Sequence, residues 1–361
     1  MPPPCDKSRP HGPHATPPGA RQQAHRSTPA IVVLTLGSLL LLSGCEGSQS
    51  TLQPAGSAAR DIALLWWWML GASVVVLLAV VGLWLYAQFR RPPGMASDAW
   101  DTSESDPVIA RRWLIGGGLV LPSAAMAALL AFGIPMGHRM LPLPLSETPL
   151  RIEVTGHQWW WEVHYPEQDI TTANQIHIPA GRPVDFHLNS ADVIHAFWVP
   201  QLGGKLDMIP GRTNVLRLQA DAPGRFRGQC AEFCGLQHAR MRMTVEALPE
   251  AAFAQWVAAR QADEVRPVRA PDAPSAAVFD THCSQCHSVA GDPASGGPDL
   301  RHLHSRTMLG AGTLRHDDDG DGLERWLRHH QQLKPGNHMP AHDDLDDDTL
   351  SALADWLRRQ R

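Results

Sequence analysis

Two long apolar segments constrain the fold of this chain more than any other feature of its sequence. Residues 62–89 and residues 113–137 contain no charged side chain, and each is long enough to cross a bilayer as a helix. Arginine pairs at 90–91 and 111–112 lie close to the helix ends in the connection between them. Because such residues favour the cytoplasmic side, we expect everything after Gly137 to lie outside the inner membrane.

A shorter apolar run precedes these two segments. Residues 30–44 follow basic residues and end in small ones, as a signal peptide does, and the run is short for a bilayer span. Its end, "LLSGC", resembles a bacterial lipobox, which would make Cys45 the acylated first residue of the mature chain. Ordinary cleavage that leaves Cys45 unmodified is the alternative. Residues 1–44 are then leader and signal peptide, and residues 45–140 form a lipid-anchored, two-helix part.

The signal peptide and the arginine bias give the same orientation. We therefore expect a multi-pass protein of a bacterial inner (plasma) membrane, with its later domains on the periplasmic side. The formal net charge is -5. This lacks the strong basic excess typical of nucleic-acid-binding proteins, so no nucleic-acid partner is expected.

The region 141–262 has the pattern of a small β-rich domain. Its strand-like segments alternate apolar with polar side chains and are separated by turn residues; they are 151–155, 183–188, 215–219 and 241–247. Short strands at such spacing predict a sandwich or small barrel. The pattern then changes to a helical period, with Phe253, Trp256 and Val257 on one face.

A second, smaller module follows a proline-rich linker at 263–274 and occupies residues 275–361. It begins with the helix-like "SAAVFDTHCSQCH" and ends with "DDDTLSALADWLRRQR". In the second of these helices the apolar side chains share one face; they are Leu350, Leu353, Trp356 and Leu357.

The run "CSQCH" gives this module its chemistry. Cys283, Cys286 and His287 have the spacing of c-type haem attachment, in which two thiols bind the vinyl groups of one porphyrin and the histidine lies beneath the iron. A redox dithiol or half of a zinc site would be the alternatives. A covalent haem would also supply much of the apolar interior that so small a module lacks.

The other axial ligand is expected in "LKPGNHMP", where Met339 lies in a Gly/Pro loop, with Met308 as the weaker candidate. The whole module resembles a class I cytochrome c. In that family the proline of the "GPDL" stretch, here at 297–300, holds the proximal histidine, here His287, through its carbonyl. His/Met ligation raises the haem potential, as electron transfer to a terminal acceptor requires.

Acidic stretches distinguish this module from its surroundings. Asp317, Asp319 and Asp321 have the spacing of the start of a calcium loop, but the twelfth position is Arg328 instead of glutamate. This favours a solvated acidic loop over a calcium site. Together with "DDLDDD" at 343–348, the loop makes the module acidic, which would steer a basic donor such as a soluble cytochrome c.

The stretch "GQCAEFCGLQHARMRM" concentrates possible metal ligands at the end of the β-rich domain. They are Cys230, Glu232, Cys234, His238 and Met241. Three residues between two cysteines suit a structural disulfide poorly, whereas thiolates, imidazole and thioether together suit copper. A zinc site of two Cys and two His is conceivable but would not use the methionine. Upstream, "DVIHAFWVP" adds a histidine at the end of a strand-like segment.

This constellation resembles the binuclear copper (CuA) site of subunit II of cytochrome c oxidases. The resemblance implies that Cys230 and Cys234 bridge two copper ions and that His195 and His238 each bind one of them. It also implies that Met241 and the backbone carbonyl of Glu232 are weak ligands. In the family the Glu232 side chain further faces a magnesium or manganese ion at the subunit I interface.

The resemblance covers nearly the whole mature chain. It implies a multidomain membrane protein with two transmembrane α-helices, a cupredoxin-like β-barrel or sandwich, and a small all-α cytochrome c domain. Trp159, in "GHQWWWEVHYP", would be the residue through which electrons reach the copper, and "KLDMIPGR" (205–212) would face subunit I. The residue three before Trp113 is Ala110, where many family members carry a glutamate, so the sequence does not decide whether this subunit contributes to proton uptake.

The function implied is that of the electron-input subunit of a haem–copper terminal oxidase. Electrons would pass from soluble cytochrome c through covalent haem c and the copper pair to the oxygen-reducing site of subunit I, with other oxidase subunits as further partners. The copper subunit of a nitric-oxide reductase is an alternative. A non-enzymatic copper-binding or delivery lipoprotein is another, although delivery needs no second redox centre.

Overall fold

The fold is described from a computed structural model over residues 47–89, 107–145, 148–265, 273–289, 296–316 and 321–360. These residues belong to one compact unit, Glu46–Arg361. The lipidation predicted at Cys45 lies outside the described residues, and so do Asp317 and Asp319 of the acidic loop.

Two helices are long and apolar enough to cross a membrane. Helix α1 (Ser57–Phe89) has 33 residues. The second comprises α2 (Pro107–Ile115), a π-helical turn (Gly116–Val120) and α3 (Leu121–Arg139). The π turn contains three consecutive glycines, which lower the cost of departing from regular helix. The apolar side chains of both helices are largely exposed, as expected of surfaces that face lipid.

Ten strands form a β-sandwich of two five-stranded sheets, which confirms the predicted class of fold. The strands are β1 (Leu150–His157), β2 (Trp160–Tyr165), β3 (Ile170–Ala173), β4 (Gln175–Pro179), β5 (Val184–Ser190), β6 (His195–Trp198), β7 (Leu206–Met208), β8 (Asn214–Leu218), β9 (Gly224–Cys230) and β10 (Arg242–Leu248). The sheet orders are β3-β2-β1-β5-β8 and β4-β10-β9-β6-β7. β1 and β5 pair in parallel, as do β4 and β10, and the other pairs are antiparallel.

Alternation of side chains along the strands fills the space between the sheets. In β1 the apolar residues Leu150, Ile152 and Val154 are buried while their neighbours are more exposed, because successive side chains point to opposite faces. Helix α4 (Glu250–Val265) closes one side of the sandwich. Phe253 is buried and Trp256 stacks on His177 with ring centroids 4.5 Å apart, so the predicted helical face is the packed one.

The C-terminal module is mainly helical, as expected. Its elements are α5 (Ala273–His282), a 3-10 turn (Leu303–Ser305), β11 (Met308–Leu309), β12 (Leu314–Arg315), α6 (Asp321–Leu333) and α7 (Asp347–Arg358). The apolar face predicted for α7 is buried against α5 and α6. Asp346 caps α7 by accepting a hydrogen bond from the backbone N–H of Thr349 at 2.8 Å. The small β11–β12 hairpin was not expected from the sequence.

Candidate metal centres

The two cysteines of the β9–β10 loop are buried and unpaired. The Sγ atoms of Cys230 and Cys234 lie 3.8 Å apart, far beyond a disulfide bond of about 2.05 Å. The backbone N–H of Cys230 donates to the carbonyl of Met241 at 2.9 Å. This hydrogen bond joins the first and last predicted ligands of the loop and so holds the two ends of the loop together.

The structure brings all six predicted ligand residues of this loop and its neighbour strand together. His195 Nδ1 is 3.8 Å from Cys230 Sγ. On the other side, His238 Nδ1 lies 3.6 Å and Met241 Sδ 3.8 Å from Cys234 Sγ. The carbonyl oxygen of Glu232 is 3.2 Å from Cys230 Sγ.

These separations fit metal ions held between the side chains. Two ligands of one tetrahedral ion, each about 2.3 Å from it, lie about 3.8 Å apart. His195, Cys230 and Cys234 are buried, and their ligand atoms all lie within 4.8 Å of one another. A set of two thiols, two imidazoles and a thioether is soft, which favours copper over the harder cations.

The hydrogen bond between the two thiols favours ionisation of one of them. It lowers the pKa of Cys230 and raises the pKa of Cys234. A lowered pKa favours the thiolate, the form that binds metal.

The residues behind His195 fix its orientation. Its Nε2 lies 2.8 Å from Asp192 Oδ1, which leaves Nδ1 directed to Cys230. Burial lowers the pKa of His195, but hydrogen bonds to Cys230 and Asp192 outweigh it and raise the pKa overall. Gly156 lies against the ring, and a Cβ at this position would be 2.8 Å from His195 Cδ2. The sequence drew no attention to Asp192 or Gly156, because neither belongs to a ligand motif.

Trp159 lies directly on the ligand loop. Its indole Nε1 donates to the carbonyl of Cys234 at 3.0 Å, and Gln158 Nε2 donates to the same oxygen at 2.7 Å. Trp159 is only 6% exposed, because the imidazole of His338 lies over it with ring centroids 4.9 Å apart. The tryptophan thus contacts both the copper-type loop and the C-terminal module.

The carboxylate of Glu232 points away from this cluster. It is half exposed, and Oε2 lies 3.9 Å from Nζ of Lys205. Within the described residues, the groups that could hold a metal cluster at the thiols, not at this carboxylate. A cation at Glu232 would therefore need ligands from outside the described residues, such as water or another subunit.

The haem-type cysteines lie just beyond the end of α5. Cys283 is buried and Cys286 exposed, and backbone hydrogen bonds tie both Cys286 and His287 to the carbonyl of Cys283. His287 Nδ1 lies 2.8 Å from the carbonyl oxygen of Pro298. Because Nδ1–H donates to this carbonyl, Nε2 is left to bind a metal. Burial lowers the pKa of His287, which favours the neutral ring that ligation requires.

Gly297 leaves space for the imidazole ring of His287. A Cβ at position 297 would be 2.6 Å from His287 Cε1. Across the same core, the indole nitrogen of Trp356 is buried without a hydrogen-bond partner among the described residues. A haem, with its propionate oxygens, can supply an acceptor for such a donor. The site residues therefore fit this group.

Met339 packs against the core that contains Phe279 and Cys283. Its backbone is held on both sides: the N–H donates to Asn337 Oδ1 at 3.0 Å, and Gln331 Nε2 donates to its carbonyl at 2.6 Å. Met308, the weaker candidate, lies in β11 and pairs with Arg315 of β12.

Comparison with known proteins identifies both domains. Residues 167–248 match the family described as "Cytochrome C oxidase subunit II, periplasmic domain". Residues 273–361 match the family described as "Cytochrome c". The two matched regions contain the copper-type loop and the haem-type motif respectively.

Similar proteins extend over most of the chain. "Cytochrome c oxidase subunit 2" of Alkalihalophilus pseudofirmus is 34% identical over 330 residues, 88% of this chain and 93% of that protein. The protein of the same name from Bacillus sp. strain PS3 is 32% identical over 335 residues, again 88% and 93%. "Quinol oxidase subunit 2" of Bacillus cereus is 29% identical over 231 residues, 62% of this chain and 77% of that protein.

Proposed function

We propose, since the chain belongs to the cytochrome c oxidase subunit II family, that it receives electrons one at a time and passes them to the catalytic subunit. The chain is part of a haem–copper oxidase complex, an oxidoreductase, and its partners are the other oxidase subunits. The family implies a copper centre in the β-sandwich and a haem in the C-terminal module.

The observation that carries the proposal is the cluster at the β9–β10 loop. Cys230 and Cys234 would bridge two copper ions, His195 and His238 would each bind one, and Met241 with the Glu232 carbonyl would complete the set. A copper centre held by these residues would supply fast electron transfer with little change in geometry. The chain's own contribution is rigidity: the hydrogen bond from Cys230 to Met241 and the contact of Asp192 with His195 hold the ligands in place.

In the second site, Cys283 and Cys286 would attach a haem c covalently, with His287 and Met339 as axial ligands. The Pro298 carbonyl orients the His287 ring, and Asn337 and Gln331 fix the backbone of Met339. Trp159 would be the residue through which electrons reach the copper site, because it touches both the ligand loop and the C-terminal module.

The remaining proposals concern the membrane location of the subunit, its lipidation, its electron donor and a cation shared with subunit I. The two long apolar helices would anchor it as a multi-pass protein of a bacterial inner membrane with both redox domains outside, and Cys45 would carry a lipid. A soluble, basic cytochrome c would be the donor, attracted by the exposed carboxylates at 343–348. Glu232 would contribute one ligand to a magnesium or manganese ion shared with subunit I.

Metal analysis of the purified oxidase tests the proposal. We expect two coppers and one covalently bound haem for each copy of this chain, in addition to the metals of subunit I. The electron-spin spectrum should show one electron shared by two coppers. Cys234→Ser should abolish that spectrum and leave the covalent haem in place, and Cys286→Ala should weaken haem attachment and leave the copper. A single zinc with no copper at this site would overturn the proposal.

A further inference from the structure

The C-terminal module docks on the copper-type loop through a set of polar contacts. The backbone N–H of Arg242 donates to the carbonyl of Ala311 at 3.0 Å, and Arg240 Nη1 donates to the carbonyl of Leu333 at 2.5 Å. A more distant contact joins Arg260 Nη2 to Ser305 Oγ at 2.6 Å. The interface is therefore held largely by main-chain acceptors.

Lys334 lies at the centre of this interface and is only 4% exposed. Its ammonium donates to three carbonyl oxygens: those of Trp159 at 2.7 Å, Gly310 at 3.0 Å and Arg240 at 3.3 Å. An ammonium has three N–H donors, so each has one acceptor. Burial lowers the pKa of Lys334 to about 7, so the charged form depends on these three acceptors.

The three acceptors come from both domains. Trp159 and Arg240 belong to the β-sandwich, and Gly310, like Lys334 itself, belongs to the C-terminal module. Lys334 therefore connects the backbone of the proposed electron-input residue to the module that would carry the haem.

Hydrogen bonds continue from Lys334 to the proposed axial ligand. Asn337 Nδ2 donates to the carbonyl of Lys334 at 2.8 Å, and Asn337 Oδ1 accepts from the backbone N–H of Met339 at 3.0 Å. Between them, the ring of His338 contacts the indole of Trp159. One short segment thus begins at the Lys334 clamp, touches Trp159 and ends at Met339.

We propose that Lys334 is a positioning residue for electron transfer between the two domains. Its ammonium ties the main chain at Trp159 to the loop of His338 and Met339, and so fixes the separation of the two redox sites. This inference rests on the proposed function, because it needs a haem in one domain and copper in the other. In that function one electron would leave the haem held by the C-terminal module, which would be oxidised, and reach the copper held by the β-sandwich, which would be reduced. Lys334 itself would exchange no electron.

The test uses Lys334→Met in the purified oxidase, because methionine keeps an unbranched side chain but has no N–H donor. After rapid photoreduction of the haem, we expect electron transfer to the copper site to slow by about 3-fold or more, because the transfer rate depends steeply on the separation and positioning of the two redox sites. The static spectra and the metal and haem contents should not change. Ser305→Ala, which removes an interdomain contact remote from Trp159, should leave the rate within about twofold.

A second readout reports docking without any electron transfer. Hydrogen exchange at the backbone N–H of Arg242, which donates across the interface to Ala311, should become faster in Lys334→Met and remain slow in Ser305→Ala. Lys334→Gln keeps two N–H donors, so its electron-transfer rate should fall less than that of Lys334→Met. If Lys334→Met does not assemble, the transfer rate and the hydrogen exchange are measured in Lys334→Gln instead.

The outcomes separate this inference from the proposed function. Wild-type protein without two coppers or without haem would contradict the proposed function itself. Wild-type metal content with an unchanged transfer rate and unchanged Arg242 exchange in Lys334→Met would overturn the role of Lys334 alone. Equal slowing in Ser305→Ala would also overturn it, because any weakened interface contact would then have the same effect.

Discussion

Two glycines, Gly156 and Gly297, leave space for two of the three histidines that the proposed sites depend on, His195 and His287. Neither has a backbone conformation reserved for glycine, so the close approach of a ring explains both. Gly156→Ala would push on His195, and we expect copper affinity to fall about 10-fold or more while haem content stays normal. Gly297→Ala would push on His287 and disturb the haem spectrum, with copper unaffected.

Each glycine variant is the control for the other. Metal analysis and optical spectra of the two purified proteins should show reciprocal losses. Loss of both cofactors in either variant would mean that the substitution disturbs the whole fold and not one histidine. Unchanged copper in Gly156→Ala would argue against His195 as a ligand.

At the scale of single residues, the sequence indicated the metal ligands but not the residues that hold those ligands in place. Cys230, Cys234, His238 and Met241 lie within one short loop, so their residue types and spacing indicated a metal site, and the family resemblance implied the role of each ligand. Asp192 lies only three residues before His195, but no sequence pattern marked their contact, whereas Lys334 acts through contacts between distant segments. A buried lysine carries no local pattern, and its three carbonyl acceptors become neighbours only after both domains have folded.

At the scale of secondary-structure elements, one carboxylate, that of Glu246, connects strand β10 to both of its neighbouring strands. Glu246 lies opposite His177 of β4 and Arg225 of β9, and its side chain contacts both. The hydrogen bond with His177, followed by that with Arg225, lowers the pKa of Glu246 to about 2 despite burial. The ionised carboxylate thus links three adjacent strands of one sheet.

Loss of this link should destabilise the β-sandwich. Because the folded-state pKa of Glu246 lies below its ordinary value, the stabilisation is complete above pH 4.5 and is lost as the pH falls toward about 2. At pH 7, Glu246→Gln should lower the free energy of unfolding by about 2 kcal/mol. Below about pH 4.5 the wild-type and variant stabilities should converge.

Glu162→Gln is a matched control for this prediction. Glu162 also pairs with a histidine, His157, at 3.0 Å, but its side chain is 41% exposed, and exposed pairs contribute little. Denaturant unfolding followed by tryptophan fluorescence measures all three proteins at several pH values. A constant difference between wild type and Glu246→Gln down to pH 2 would contradict the role of the carboxylate.

At the scale of elements, hydrophobic periodicity predicted several helices and strands that have one buried and one exposed face. It predicted α4 and α7 and the alternating strands β1, β5, β8 and β10. It missed β2 and β9, although burial alternates along much of both strands. It also missed β4, all five residues of which are buried, because such a strand has no polar alternation. It also missed the two-residue strands β11 and β12, which are set by a turn at residues 310–312 and not by a hydrophobic pattern.

On the scale of the whole molecule, the C-terminal module covers Trp159. The indole is almost fully buried under His338, so a soluble protein cannot contact it directly. In the proposed function an external donor would therefore deliver its electrons to the C-terminal module first. The surface it would meet includes five exposed carboxylates, Asp343, Asp344, Asp346, Asp347 and Asp348.

Three of these carboxylates also have structural partners. Asp346 caps α7, Asp347 pairs with Arg328, and Asp344 lies 3.5 Å from His282. Asp343 and Asp348 are therefore the positions where charge can be removed with least effect on the fold. The double variant Asp343→Asn/Asp348→Asn should keep its haem spectrum and its stability within about 0.5 kcal/mol.

This double variant tests steering of the donor by charge. With a basic soluble cytochrome c as donor, we expect the second-order rate of haem reduction at low salt to fall by about threefold to tenfold. The wild-type rate should fall steeply with ionic strength, and the two proteins should converge above about 0.5 M salt, where exposed charges are screened. A neutral small-molecule reductant should reduce both proteins at the same rate, because it feels no field. If wild type and variant respond alike to salt, the donor does not use this acidic surface.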